Sequence, residues 1–321
     1  MIRAKGQSRQ LAMRAVENWF LGHLHILRRS LQLGTLVLFL VIPLLNRKGI
    51  HVLMGTLYSL KVGGLDIADP ALALQTMLLL KEWLLPLAIG AAIPLVLAAL
   101  LGKVFCSWMC PFNFLAELGQ GAKRKLLRIT GRRIRHNPAP IYFWVVFGLF
   151  VLAALITARP LLTYFSMPGQ ISALLADLLF HHTLAVEWLL VLVILAAEVV
   201  PVRRWWCRSV CPVGAMLAVS SSRHRLRVAY DPRKCNCAPG HFPCIDACPL
   251  DLNPRQKGIY PSCYNCGECV MACHYEGRAL TFQFGEEASA KLVAHSGQRI
   301  NKVEVLGNGR GEGEKNTPPV S

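Results

Sequence analysis

Four apolar stretches, 31–45, 83–101, 141–158 and 184–200, constrain this chain more than any other feature. The last three approach the roughly 20 residues that a helix needs to cross a bilayer core. The first is shorter, but Arg28, Arg29, Arg47 and Lys48 flank it, and their stems can snorkel to an interface. Backbone polar groups in lipid must be satisfied within the segment, so helices are the expected spanning elements. Pro86 and Pro94 would stop a soluble helix but are tolerated inside a membrane bundle. A mean hydropathy of +0.40, with 54% hydrophobic residues, is too apolar for a soluble chain of this length. The sequence therefore predicts an integral membrane all-α domain over 31–200, with spans at about 31–46, 83–101, 141–158 and 184–200. Glu187 and Glu198, at the ends of the fourth run, read as interfacial residues.

The net charge of +17 is distributed in a way that argues against nucleic acid as a partner. Segments 1–30, 103–140 and 201–234 hold 22 Lys and Arg, whereas 46–82 and 159–183 hold five. That alternation is the positive-inside bias, and the basic excess suits anionic lipid. It predicts that both termini lie on the cytoplasmic side, in a multi-pass topology. Every cysteine then lies where thiols stay reduced, which disfavours a disulfide framework. No cleavable signal peptide is expected, since the first apolar run lacks a small-residue cleavage site and more spans follow.

Eight of the twelve cysteines fall between Cys235 and Cys273. Cys263-x2-Cys266-x2-Cys269-x3-Cys273 is the spacing that wraps a loop around a four-iron cubane, its fourth cysteine often serving the neighbouring cluster. The preceding part is looser: Cys235-x1-Cys237-x6-Cys244-x3-Cys248-Pro249. In the bacterial two-cluster pattern one [4Fe-4S] cluster takes Cys235, Cys237, Cys244 and Cys273. The other takes Cys263, Cys266, Cys269 and Cys248. Four thiolates also suit zinc, but the uninterrupted run favours iron–sulfur.

The remaining cysteines lie in an internal repeat. Lys103-Val-Phe-Cys106-Ser-Trp-Met-Cys110-Pro111 aligns with Arg204-Trp-Trp-Cys207-Arg-Ser-Val-Cys211-Pro212, 101 residues on. The membrane part thus reads as two helical hairpins in the same orientation, each ending in C-x3-C-P at the cytoplasmic face. Cys106, Cys110, Cys207 and Cys211 could jointly bind a third cluster or another soft metal, form redox-active thiol pairs, or be inert buried cysteines. Trp108, Trp205 and Trp206 read as an interfacial aromatic belt. The scattered histidines do not offer paired haem ligands, and His181-His182 reads as an interfacial pair or as a proton acceptor for quinol. No Gly-rich phosphate loop or Ser/His/Asp set supports nucleotide-driven chemistry or hydrolysis.

The other expected units are a basic lead-in over 1–30, a cytoplasmic linker over 201–234, a ferredoxin-like two-cluster domain over 235–285, and a disordered tail over 286–321. Within the 46–82 loop a cap outside the membrane is expected, with a helix from Pro70 to Leu80.

Four membrane helices, C-x3-C-P after the second and fourth, and the C-terminal cluster motifs resemble the NapH family, and more broadly the NapH/NosR/CcoG membrane polyferredoxins. Gly55-Thr-Leu-Tyr-Ser59 and Asp69-Pro70-Ala-Leu-Ala-Leu-Gln75 are similar to the NapH pattern ahead of its second span. The resemblance implies a subunit of a quinol dehydrogenase, passing electrons from quinol through [4Fe-4S] clusters toward a periplasmic reductase such as nitrate reductase. It also implies a partner, either a periplasmic iron–sulfur subunit of the NapG kind or a multihaem cytochrome. The six-residue insertion before Cys244 and His274 after Cys273 depart from the family pattern. The alternative the same group implies is an assembly factor of the CcoG or NosR kind, reducing or handling copper or another metal for a client enzyme. Cys266→Ser is expected to remove about four irons per chain and most electron flow. Near-normal iron content in that variant would contradict the ligand assignment.

Overall fold

The structure, a computed structural model, describes residues 2–48, 53–62, 65–127, 140–181, 187–199, 204–223, 225–238, 242–256, 259–274 and 277–284. It opens with one long helix, α1 (Ile2–Arg47). The expected lead-in and first span are therefore a single continuous element, within which the 26 residues Leu21–Asn46 are long and apolar enough to cross a membrane. Among the described residues no other helix meets both conditions. The expected tail over 286–321 and His182 lie outside the described residues.

A three-stranded antiparallel meander follows: β1 (Leu53–Gly55), β2 (Ser59–Val62) and β3 (Leu65–Ala68). Asp69 then caps α2 (Pro70–Leu80), its carboxylate accepting from the Ala71 N–H at 2.8 Å and the Ser166 hydroxyl at 3.0 Å. Proline suits the first helical position because its missing N–H would have had no partner there. The chain turns at Lys81 into α3 (Leu85–Leu101), with Pro86 in the first turn and Pro94 inside. β3 lies directly on α3, since a Cβ added at Gly90 would sit 2.5 Å from the Asp66 carbonyl oxygen. After α3 come the short α4 (Val104–Trp108) and then α5 (Pro111–Leu127).

The second half repeats this order. α6 (Pro140–Thr157) and α7 (Leu161–Tyr164) lead to α8 (Met167–His181), α9 (Glu187–Val199), α10 (Trp205–Ser209) and α11 (Pro212–Ser220). α8 stands where α2 stands in the first half, and α9, α10 and α11 match α3, α4 and α5. The halves interlock. The Arg225 N–H just beyond α11 donates to the Leu100 carbonyl at the end of α3. In the other half α5 returns to the end of α9, through Gln120 to the Glu198 carbonyl and Lys123 to the Val199 carbonyl. The meander is fastened across the same seam: the Tyr58 hydroxyl donates to the Thr163 carbonyl, and the Leu57 N–H to the Ser172 hydroxyl.

Two sequence readings are corrected. Trp206 is buried against Phe165, at 5.9 Å between ring centroids, and belongs to the core rather than to an interfacial belt. Glu198 is 1% exposed, and its carboxylate accepts from the Cys207 N–H at 3.0 Å. It therefore holds the start of α10 instead of facing an interface.

The C-terminal unit is clasped by two antiparallel strands, β4 (Leu226–Tyr230) and β5 (Leu280–Phe284). β4 lies in the stretch read as a linker, before the first cysteine, and β5 follows the last. Between them are α12 (Pro243–Asp246) and α13 (Glu268–His274). Gly90→Val is expected to push β3 off α3, at about 1–3 kcal/mol for the overpacking. Gly148→Val, with nothing within 4 Å, is the control. If both variants in detergent unfold at the same temperature, the packing of meander on helix is refuted.

Candidate metal centres

Cys263, Cys266 and Cys269 reach one cavity because the loop carrying them folds back twice. Asn265 (φ +50°) and Gly267 (φ +82°) adopt the left-handed conformation, and α13 then starts at Glu268. Cys248 closes the same cavity of about 20 Å³, so the four thiols assigned together from the sequence stand around one space. The remaining wall is Val228, Leu250, Leu252, Ile259, Tyr264 and neighbouring uncharged residues. Burial pushes the thiols of Cys263 and Cys266 up to about 12 and Cys248 up to about 11. Main-chain N–H groups of Asn265, Glu268, Leu250 and Leu252 oppose that shift by pointing at the sulfurs. A pocket of four soft donors, free of carboxylates, with N–H groups aimed at sulfur, fits a cubane held by thiolates.

Cys235, Cys237, Cys244 and Cys273 form a second, shallower group. Cys244 and Cys273 are buried together, while Cys235 and Cys237 stand in the chain that follows β4. The Cys237 thiol is pushed up to about 11 by burial and by Cys235, Cys244 and Cys273, so each of those three lies within electrostatic reach of it. Cys269 and Cys244 also feel each other, so the two quartets adjoin.

The C-x3-C-P cysteines converge as well. Cys106, Cys110, Cys207 and Cys211 line a second cavity of about 20 Å³, with Phe112, Asn113, Val213 and Gly214 from the first turns of α5 and α11. Met167 and Pro168, at the start of α8, complete the wall, and Tyr264 is shared with the cavity of the Cys263 loop. Among the described residues no three His, Cys, Asp or Glu side chains gather as a single-ion site; the thiols stand around spaces.

A buried ion network surrounds these groups. Glu117 on α5 pairs with Arg28 at 3.2 Å, Arg29 at 2.7 Å and Arg204 at 3.7 Å, and Arg28 also binds Glu268. Arg28 is 2% exposed and Arg204 is fully buried. Asn265 ties the cysteine loop to the helical part: its amide nitrogen donates to the Leu101 and Leu226 carbonyls, both at 2.9 Å, and its oxygen accepts from the Tyr260 hydroxyl. The Ser107 hydroxyl donates to the Tyr264 carbonyl at 2.8 Å. Sequence reading missed Glu117, Asn265 and Tyr264, whose burial is set by distant partners. Lys103 and Arg204 had a signal, since the repeat aligns them three residues before each first cysteine.

Comparison with known proteins bears on these segments. The family described as "4Fe-4S binding domain" matches twice, over residues 83–130 and 184–228, and so over the two C-x3-C-P copies. The two matches begin 101 residues apart, the offset of the repeat. The chain is 29% identical to the ferredoxin-type protein NapH of Haemophilus influenzae, covering 79% of this chain and 88% of the relative. It is 28% identical to NapH of Escherichia coli, over 85% and 95%. The methylamine utilization ferredoxin-type protein MauN of Methylorubrum extorquens is 28% identical, over 84% and 79%. No solved structure matches.

Asn265→Asp replaces the donating amide with an acceptor and leaves two buried carbonyls unpaired, an expected loss of about 2–4 kcal/mol. Asn265→Gly, which keeps the left-handed backbone, should lose a similar amount. Equal protection of β4 from hydrogen exchange in both variants and the native chain would rule out this tie.

Proposed function

We propose that this chain, a ferredoxin-type electron-transport protein of the NapH family, crosses the cytoplasmic membrane four times and carries electrons from quinol toward a periplasmic reductase. Nitrate reductase is the acceptor that the family resemblance implies. Relatives whose name refers to methylamine utilization match over a similar length.

The four-pass reading draws support from the outer faces of the helices. Leu31, Leu33 and Val37 on α1, Leu85, Ile89 and Val96 on α3, Ile141, Leu149 and Ile156 on α6, and Leu189, Leu192 and Val193 on α9 are all exposed. Such broad apolar surface is stable against lipid and costly against water. The Lys and Arg bias then puts the cysteine-rich unit on the cytoplasmic side.

The observation that carries the electron-transfer reading is the seating of the Cys263 loop on the helical part. Asn265 holds it to the end of α3, and Glu268 holds it to Arg28 of α1. Cys248, Cys263, Cys266 and Cys269 would hold one [4Fe-4S] cluster, and Cys235, Cys237, Cys244 and Cys273 the other. When bound, such clusters supply one-electron redox centres whose potentials follow burial and hydrogen bonds to sulfur. The chain's own residues fix where the thiols stand, aim N–H groups at them and exclude water from the deeper quartet. A periplasmic iron–sulfur subunit of the NapG kind or a multihaem cytochrome would take the electrons onward.

The gathering of four thiols from the C-x3-C-P motifs, Cys110 and Cys211 buried and Cys106 and Cys207 half-buried, favours a second reading, a maturation factor that handles copper for a client. Adding a quinol to anaerobic inside-out vesicles should develop the EPR signal of reduced four-iron clusters. Quinol-inert clusters, together with copper binding that disappears in Cys106→Ser, would reverse the order of the two readings.

A further inference from the structure

We propose that Tyr264 couples the two buried cysteine sites: its phenol donates a hydrogen bond to sulfur in the C-x3-C-P cavity, while its main chain belongs to the loop that carries Cys263 and Cys266. It thereby raises the potential of the centre in that cavity and gives electrons a bonded route between the two sites. The proposal deepens the electron-transfer reading above and rests on it. Its premise is the cluster that the family match gives to the two C-x3-C-P segments.

The cavity suits that group. Apart from its four cysteines, its lining carries no carboxylate or imidazole. Main-chain N–H groups of Asn113 and Phe112 point at the Cys110 sulfur, and that of Gly214 at the Cys211 sulfur.

Three observations single out Tyr264. The first is a donor without an acceptor. Tyr264 is 3% exposed, and its hydroxyl is buried with no hydrogen-bond partner. Leaving a buried hydroxyl unpaired is costly, and such a group calls for an explanation. Arg204, Cys266, Glu117 and Cys207 all act on the phenol electrostatically, which sets it between a thiol of one site and a thiol of the other. Arg204 offers donors only, and the Glu117 carboxylate is already engaged by Arg28, Arg29 and Asn113. Sulfur is the acceptor that remains.

The second is the way the Tyr264 main chain is held. The Ser107 hydroxyl, next to Cys106, donates to the Tyr264 carbonyl at 2.8 Å. The other repeat makes a matching contact: Arg208, which follows Cys207 and is the counterpart of Ser107, donates to the Leu250 carbonyl at 3.1 Å. Leu250 lies two residues beyond Cys248. The residue after the first cysteine of each C-x3-C-P thus grips the main chain around the site of Cys248, Cys263, Cys266 and Cys269.

The third is position. Among the described lining residues Tyr264 alone belongs to both cavities. Cys106 also packs against the buried group formed by Cys248, Leu250, Leu252, Ile259, Tyr264 and Cys266. A bonded path therefore runs from Cys106 through Ser107 and its hydrogen bond to Tyr264 and on to Cys263. Each transfer moves one electron from one centre to the other and makes or breaks no bond, and the phenol keeps its proton. A donor aimed at sulfur stabilises the reduced, more negative state and so raises the potential.

In the full chain isolated anaerobically in detergent, the EPR signal lost in Cys106→Ser combined with Cys207→Ser identifies the C-x3-C-P centre. The signal lost in Cys266→Ser identifies its neighbour. Tyr264→Phe, which removes only the hydroxyl, should keep the iron content, lower the midpoint potential of the first signal and leave the second unmoved. Pulsed EPR of that centre should also lose the coupling of one proton that exchanges in deuterated water. Unchanged potential and proton coupling in Tyr264→Phe overturn the proposal, as does a shift confined to the signal lost in Cys266→Ser. A double variant that keeps every signal overturns it too, and all three results leave the electron-transfer reading standing. If the double variant does not fold, Tyr264→Phe decides alone: a signal other than the one lost in Cys266→Ser must shift and lose its proton coupling. Native protein without iron overturns both the proposal and the reading beneath it.

Discussion

Glu117 is the interaction on which the rest of the structure depends. One carboxylate, 9% exposed, meets Arg28, Arg29 and Arg204, which come from the first helix and from the second repeat. Removing water from charges is costly, and a buried pair is stable only when its geometry and further hydrogen bonds offset that cost. Here Glu268 gives Arg28 a second partner, and the Asn113 carbonyl accepts from Arg204. The network therefore fixes α1, α5, α10 and the cysteine loop in one arrangement. Within the network three guanidinium groups face the two carboxylates of Glu117 and Glu268, close to the cysteine loop.

That imbalance connects packing to chemistry. Helix starts at Pro111 and Pro212 and the left-handed turns at Asn265 and Gly267 all direct N–H groups or bring sulfur toward enclosed space. None of these devices forms a core by itself, and N–H groups aimed at sulfur suit an electron-rich group. The hydrophobic faces do the separate work of setting the environment, apolar outward on the long helices and tightly packed around Phe112, Leu162 and Met167 within.

Much of this was legible in the sequence, and the reasons for the remainder are physical. Cysteine spacing gathers the C-terminal thiols because a short loop has few ways to bring three sulfurs together. The helix Pro70–Leu80 was expected and occurs with those bounds, since Asp-Pro is a strong local start. Local signals could not reveal that Glu198 and Trp206 are buried. Both positions suit an interface by residue type, and their partners, Cys207 and Phe165, are set by how α9, α10 and α7 meet. The meander before Asp69 was also missed, its strands being three or four residues long and held by register and by Tyr58 reaching across to Thr163.

The crossed return of α5 to α9, and of the segment after α11 to α3, has an evolutionary meaning. Such an exchange is what a symmetric pair of identical subunits would make if each lent its final helix to its neighbour. Joining two copies end to end preserves the exchange and frees each copy to diverge. Lysine at one position and arginine at its counterpart, or a strand meander in one half and none described in the other, are the divergence that a homodimer is forbidden.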